Sequence, residues 1–154
     1  MEPIDLLTSE RVRVDLRVSS KKKLLDHLSE LLADGRGALV QEQIFDALVS
    51  RERQSPTALG GGIALPHGRL HGDFAPTAAV LRLRQPVDFD AIDGIKVDLV
   101  FALVIPDYFT EEHLGLLARV AEMFSDDAQV QAMRSATGNL ALYQLLERWF
   151  QRRT

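Results

Sequence analysis

The chain has 154 residues, the size of one ordinary domain, so we expect residues 1–154 to form a single domain. Hydrophobic residues make up 46% of it and charged residues 26%, which is typical of a globular protein and excludes a disordered or fibrous one. The formal net charge of −4 argues against a nucleic-acid binder, which normally carries a basic excess. The absence of cysteine excludes disulfides, thiolate catalysis and cysteine-ligated metals.

No segment has the features of a targeting sequence or a membrane span. Residues 1–5 lack the basic-then-apolar order of a signal peptide. The longest apolar run, residues 99–105, is too short to cross a bilayer as a helix. We therefore expect a soluble, cytoplasmic protein that does not insert into membranes.

The periodicity of the first third of the chain predicts one strand followed by two helices. Residues 11–18 alternate between polar and apolar side chains, as in a half-buried strand. The next segment has the leucine spacing of a helix, which should end near Gly35. A second helix is expected over residues 40–53. The stretch 56–66, which contains five glycines and prolines, is expected to be a loop.

The central third of the chain predicts two strands joined by a loop rich in turn residues. Residues 78–83 have the composition of a strand, and residues 87–97 contain the turn dipeptide Asp93-Gly94. Residues 97–105 are apolar almost throughout, as expected for a central strand that is covered on both faces.

Three helices are predicted after these strands. Thr110 and Ser125 are suitable N-caps for the first two, and the last should begin near Asn139. The expected buried stripe of the first consists of Leu117, Val120, Ala121 and Phe124. Helices before, between and after strands predict an α/β fold, a single-domain sandwich with a mixed β-sheet flanked by helices. The strand order does not follow from this pattern.

The segment 51–69 carries the residues with the clearest chemistry. His67 stands directly after a rigid proline, Pro66, and directly before a permissive glycine, Gly68. Three glycines upstream could bring backbone N–H groups close to an anion. Three arginines carry guanidinium groups that match phosphate geometry. The glycines are Gly60, Gly61 and Gly62, and the arginines are Arg51, Arg53 and Arg69. Together these residues suggest a phosphate on or near an imidazole.

The amino-acid sequence of this segment resembles the active-site signature of mannitol/fructose-type enzyme IIA domains of the bacterial phosphotransferase system. The resemblance is strongest to the nitrogen-regulatory branch of this family. The matching positions are Ile63-Ala64-Leu65-Pro66-His67-Gly68, preceded by Gly60 and Glu52. The likeness continues through residues 86–94, 97–106 and 112–114, and therefore spans roughly residues 3–150. It implies a soluble α/β phosphoryl carrier with no cofactor and no metal.

The resemblance also implies roles for individual residues. His67 would accept a phosphoryl group from a small histidine-containing phosphocarrier protein, and His113 would assist the phosphorylated state. Arg51 would lie near the phosphate. Thr57 and the three glycines 60–62 would belong to the phosphate-binding loop. Relatives often have Gly-Ser-Thr and Gly-Asn-Gly where this chain has Ser55-Pro56-Thr57 and Gly60-Gly61-Gly62, so two side-chain donors are missing here.

Four functions remain open at this point. The first is a regulatory phosphoryl acceptor whose phosphorylation state alters binding to proteins of nitrogen or potassium metabolism. The second is a sugar-transport component that passes phosphate to an enzyme IIB domain. The third is a binding module that has kept the fold without the chemistry. The fourth is a metal-dependent hydrolase that would use His67, His71 and His113, although its carboxylates are not recognisable.

Overall fold

The computed structural model describes residues 1–108 and 110–152. Two short 3-10 helices, Pro3–Leu6 and Ser9–Arg11, precede the first strand. The strands are β1 (Val12–Leu16), β2 (Ala58–Gly60), β3 (Ile63–Ala64), β4 (His67–Leu70), β5 (Thr77–Val87) and β6 (Val97–Pro106). The helices are α1 (Lys21–Ala33), α2 (Ala38–Gln54), α3 (Thr110–Phe124), α4 (Asp127–Ser135) and α5 (Asn139–Arg152).

The described strands form one mixed sheet in the order β1-β5-β6-β3-β2, and β4 pairs with β6 in line with β3. Strands β3 and β4 run parallel to β6, whereas β5 is antiparallel to it. Strand β1 is parallel to β5, and β2 is antiparallel to β3. The predicted central position of β6 and the mixed α/β sheet are therefore confirmed.

Helices cover both faces of this sheet, which explains the continuous apolar run in β6. Its alternate side chains enter two separate cores. Leu99, Phe101, Leu103 and Ile105 pack with α3, α4 and α5 on one face. Val100, Ala102 and Val104 pack with α1 and α2 on the other. The predicted sandwich is confirmed. None of the described helices is long and apolar enough to span a membrane.

The main difference from the predicted elements lies in the segment expected to be a loop. Residues 58–60 and 63–64 form strands, and β4 follows directly. Each of these strands has only two to four residues, so none carries a visible period. Strands β3 and β4 form because their backbone groups pair with β6, which is distant in the sequence, and β2 in turn pairs with β3. Strand β5 also extends to Val87, beyond the predicted end at residue 83.

Two helix starts differ from the prediction. Helix α2 begins at Ala38 rather than residue 40, and Gly37 occupies its N-cap with φ +104°. Helix α4 is capped by Asp126, not by Ser125, because the Asp126 carboxylate accepts the Gln129 N–H at 3.2 Å. The Ser125 hydroxyl instead donates to the Glu122 carbonyl at 2.6 Å, which completes the end of α3.

The buried face of α3 is rotated relative to the prediction. The side chains that enter the core are Leu116, Val120, Met123 and Phe124, whereas Leu117 is only partly buried. His113 lies on this same face, one turn before Leu116, and is 3% exposed. The helix begins at Thr110, so His113 is its fourth residue. The side chain of Thr110, the predicted cap, lies outside the described residues.

Candidate active site

His67 follows a short gap between the two strands, β3 and β4, that pair with the same edge of β6. Strand β3 pairs with Leu99 and Val100, and β4 pairs with residues 103–106, so residues 63–70 follow one edge of β6. The gap falls at Leu65 and Pro66. The Pro66 carbonyl accepts the Leu103 N–H at 3.1 Å, and the Leu65 N–H turns to the other side, toward the Thr57 carbonyl at 3.0 Å. His67 then begins β4 with its backbone held by the central strand.

The imidazole of His67 is oriented by the backbone of its own segment. Its Nδ1 lies 2.7 Å from the Leu65 carbonyl oxygen. A carbonyl oxygen can only accept a hydrogen bond, so Nδ1 carries the proton and donates it to Leu65. In the neutral ring the lone pair is therefore on Nε2. This is the tautomer that a nucleophile at Nε2 needs.

His113 lies beside this ring and makes an edge contact with it. The two ring centroids are 5.3 Å apart, with an interplanar angle of 62°. His113 Nδ1 is buried and has no hydrogen-bond partner in the described part of the chain. A buried N–H without a partner costs more than an unpaired lone pair in the same place, so the proton belongs on Nε2. His113 thus offers one N–H donor next to His67.

A cavity of about 450 Å³ opens at the two histidines. Arg51 on α2 and Arg69 on β4 line it and bring two positive charges to it. The Arg51 guanidinium is oriented by the Ser55 carbonyl, which accepts from Nη1 at 2.7 Å. Helix α2 lies close to β4 here: a Cβ on Gly68 would come within 3.0 Å of the Ala47 Cβ. The glycine after His67 therefore allows α2 to carry Arg51 to the edge of the site.

The surroundings keep both histidines neutral at ordinary pH. Burial lowers the pKa of His67, and the positive charge of Arg51 lowers it further against the hydrogen bond to the Leu65 carbonyl. Burial, followed by the proximity of His67 and the two arginines, lowers the pKa of His113 to about 4. A neutral His67 is nucleophilic, and a neutral His113 donates one hydrogen bond without adding a charge.

These lowered pKa values predict a dependence of stability on pH. The unfolded chain takes up a proton on His113 near pH 6.5, but the folded chain does so only near pH 4. Between these values the unfolded state binds more protons, so the free energy of unfolding falls as the pH falls. We expect chemical denaturation to show this loss, and the His113→Gln variant to show a smaller one. An unchanged slope in the variant would contradict the assignment of the loss to His113.

Other predicted site residues are placed elsewhere. Gly60 ends β2, Gly61 and Gly62 form the turn to β3, and none of the three is among the residues that line the cavity. The Gly61 N–H donates to the Asp93 carboxylate at 2.8 Å. Thr57 is 5% exposed, its hydroxyl donates a hydrogen bond to the Glu52 carboxylate, and it is not among the residues that line the cavity. A phosphate-binding role for these four residues stays a prediction.

The histidine set required for a metal site does not assemble. His71 is almost fully exposed and pairs with Asp107, at 3.1 Å between Nδ1 and Oδ2. Within residues 1–108 and 110–152, no three histidine or carboxylate side chains group so that they could hold a metal ion. His67 and His113 remain as a pair beside two arginines.

One part of the site was missed from the sequence. Lys21, at the start of α1, forms an ion pair with Glu52 at 2.9 Å, a contact that the sequence does not predict. Glu52 is 8% exposed and accepts both the backbone N–H and the hydroxyl of Thr57. The signal available in the sequence was Glu52 itself, a charged residue at a defined position of the signature.

Comparison with known proteins agrees with this geometry. Residues 5–149 match the family model described as "Phosphoenolpyruvate-dependent sugar phosphotransferase system, EIIA 2". The match covers nearly the whole chain. The chain therefore belongs to the type 2 enzyme IIA family of the phosphotransferase system.

Within this family, the chain is similar to nitrogen regulatory proteins. It is 45% identical to the one from Pseudomonas aeruginosa over 142 residues, 92% of each chain. It is 37% identical to the one from Escherichia coli, over 92% of this chain and 86% of that protein.

Solved structures show the same similarity. The nitrogen regulatory protein IIA-Ntr of Neisseria meningitidis superposes with a TM-score of 0.86 at 33% identity, over 93% of this chain and 97% of that one. The enzyme IIA mannitol of E. coli shares the fold, with a TM-score of 0.74 at 20% identity over 91% and 98% of the two chains.

Proposed function

We propose that this protein is a phosphoryl carrier in which His67 Nε2 receives a phosphoryl group from a histidine-containing phosphocarrier protein. The observation that carries the proposal is the hydrogen bond from His67 Nδ1–H to the Leu65 carbonyl, at 2.7 Å. It leaves the Nε2 lone pair free on a ring that lines a cavity with two arginines. A weakly basic, neutral imidazole is the nucleophile that phosphohistidine exchange needs.

The transfer balances without an external base. The Nε2 lone pair of His67 attacks the phosphorus of the donor phosphohistidine in line, the new N–P bond forms, and the donor N–P bond breaks with its electron pair returning to the donor imidazole. The His67 proton stays on Nδ1, where the Leu65 carbonyl holds it. The phosphorylated ring keeps the same hydrogen bond.

The charge that develops on the phosphoryl oxygens has three partners in this proposal. Arg51 and Arg69 supply positive charge along the wall of the cavity. His113 supplies its Nε2–H from the first turn of α3, where the helix dipole also favours an anion. Catalysis then consists of orientation and electrostatic stabilisation, as in other phosphoryl transfers.

The names of the relatives favour a regulatory role for the phosphorylated protein over a role in sugar transport. The similar proteins from P. aeruginosa and E. coli are both called nitrogen regulatory protein. The phosphorylation state of His67 would alter binding to partner proteins, including those of nitrogen or potassium metabolism. The alternative is transfer to an enzyme IIB domain, since a structural neighbour with 19% identity was solved as a complex of enzyme IIA mannitol with phosphorylated enzyme IIB.

Intact-mass analysis tests the proposal. The protein is incubated with phosphoenolpyruvate, enzyme I and the phosphocarrier protein, and a control omits the phosphocarrier. We expect the mass to rise by one phosphoryl group only in the complete mixture, and to return after mild acid because the P–N bond is labile. No increase with competent donors would overturn the proposal. Rapid onward transfer to a fructose-type enzyme IIB would favour the sugar-transport alternative.

A further inference from the structure

A buried carboxylate lies behind the cavity and has no part in the transfer described so far. Glu52 is in the last turn of α2, next to Arg51, but its side chain points away from solvent and is 5% exposed. Its Oε2 accepts the Thr57 N–H at 3.2 Å, and its Oε1 accepts the Thr57 hydroxyl. Burial of a carboxylate costs free energy unless the group is paired, and both oxygens of Glu52 have hydrogen-bond donors.

The cation that pairs with Glu52 is itself held from several directions. Lys21 Nζ lies 2.9 Å from Glu52 Oε2 and 3.2 Å from Asp90 Oδ2. It also lies 4.5 Å from the centre of the Phe89 ring, which is fully buried. The first residue of α1 is thus attached to the last turn of α2 by an ion pair with little exposure. This arrangement holds the Glu52 carboxylate in place.

The contacts continue without a gap from Glu52 to the imidazole of His67. Glu52 holds the Thr57 backbone and hydroxyl. The Thr57 carbonyl accepts the Leu65 N–H at 3.0 Å. The Leu65 carbonyl accepts the His67 Nδ1–H at 2.7 Å. Each step uses a donor and an acceptor that are buried or half-buried, so each fixes the orientation of the next.

We propose that Glu52 is a positioning residue for His67, which sets the ring's tautomer through Thr57 and Leu65. The inference rests on the proposed function, since it assumes that His67 is the acceptor. If Glu52 no longer holds Thr57, the Leu65 N–H loses its fixed partner, the backbone at Leu65 can rotate, and the Leu65 carbonyl leaves His67 Nδ1. The proton is then free to move to Nε2, which removes the nucleophilic lone pair and misdirects the ring.

Two substitutions separate the hydrogen bonds of Glu52 from its charge. Glu52→Met keeps the length of the side chain but removes both acceptors. Glu52→Gln removes the charge but keeps an oxygen for the Thr57 N–H and an amide group for the hydroxyl. We expect the first to lose the orientation of His67 and the second to retain most of it. Glu42→Gln, an exposed position on the same helix, is the matched control.

The direct readout is the tautomer of His67 in the unphosphorylated protein, from long-range ¹H–¹⁵N correlation spectra recorded above its pKa. We expect a single Nδ1–H tautomer in the wild type, Glu42→Gln and Glu52→Gln, and a mixture with Nε2–H in Glu52→Met. The rate of phosphoryl uptake should fall about tenfold or more in the same variant. Because the tautomer is measured without any phosphoryl donor, it decides on Glu52 even if His67 proves not to be the acceptor.

A second pair of variants keeps the test decisive if Glu52→Met does not fold. Thr57→Val preserves the shape of the side chain but removes the hydroxyl that Glu52 holds, whereas Thr57→Ser restores that hydroxyl. We expect Thr57→Val to show the Nε2–H tautomer in part and Thr57→Ser to resemble the wild type. A single Nδ1–H tautomer in every folded variant would overturn the inference.

Discussion

The His67→Ala variant is expected to take up no phosphoryl group from the phosphocarrier, whereas His71→Ala takes it up at the wild-type rate. His67 is the only described histidine whose ring both lines the cavity and has its Nδ1 proton held by a backbone carbonyl. His71 lies four residues further along, is 97% exposed at its side chain and pairs with Asp107 instead. The measurement is intact mass after incubation with the complete donor system.

The two variants make a matched pair because each removes one imidazole from the same stretch of chain. Circular dichroism and thermal unfolding establish that both are folded before the donors are added. A phosphoryl group on His67→Ala would place the acceptor elsewhere. Loss of uptake in His71→Ala would mean that the site extends to the surface beyond the cavity.

The second large effect is expected at His113. Removal of its side chain in His113→Ala deletes an N–H donor next to His67 and should slow phosphoryl uptake by about 10²–10³-fold, the effect of losing one preorganised donor. His113→Gln offers an amide donor in a side chain of similar reach, and should recover part of this loss. The rates are measured by rapid quench at saturating phosphocarrier.

A matched control for His113 is His27→Ala on α1, a histidine that does not line the cavity. Because His113 is 3% exposed and packs in the core face of α3, its removal also costs stability. The rates are therefore compared at a temperature where all variants are folded. Equal rates for His113→Ala and the wild type would contradict a role for this ring in transfer.

The sequence singles out His67 as the candidate acceptor because the signal is local. One short segment contains the rigid Pro66, the permissive Gly68 and the apolar residues before them. The sequence of this segment resembles a family signature. The central strand was equally visible, since β6 is buried on both faces and is apolar almost throughout. Both features depend on neighbours in the chain.

The rest of the site depends on contacts between distant segments, which no period or motif encodes. Strands β3 and β4 exist because β6 pairs with their backbone, and β2 exists because it pairs with β3; their short lengths leave no pattern. The pairing of Lys21 with Glu52 joins the start of one helix to the end of the next. A run of lysines at a helix start is usually solvated, so composition alone pointed away from this contact.

The glycines illustrate a different limit. Gly60, Gly61 and Gly62 all have positive φ, between +66° and +92°, as the turn between β2 and β3 requires. The sequence predicts that these glycines bring backbone N–H groups close to a phosphate, and this role stays a prediction, since a turn needs the same residues. The sequence cannot distinguish a glycine needed for a turn from one needed for the close approach of a ligand.

Identifying the nitrogen atom that carries the phosphoryl group tests whether His67 Nε2 is the acceptor. The protein, labelled with ¹⁵N, is phosphorylated with the complete donor system and examined by long-range ¹H–¹⁵N correlation and ³¹P spectra. We expect phosphorus on Nε2 of His67, with the proton remaining on Nδ1 against the Leu65 carbonyl. Phosphorus on Nδ1, or on any other residue, would contradict it.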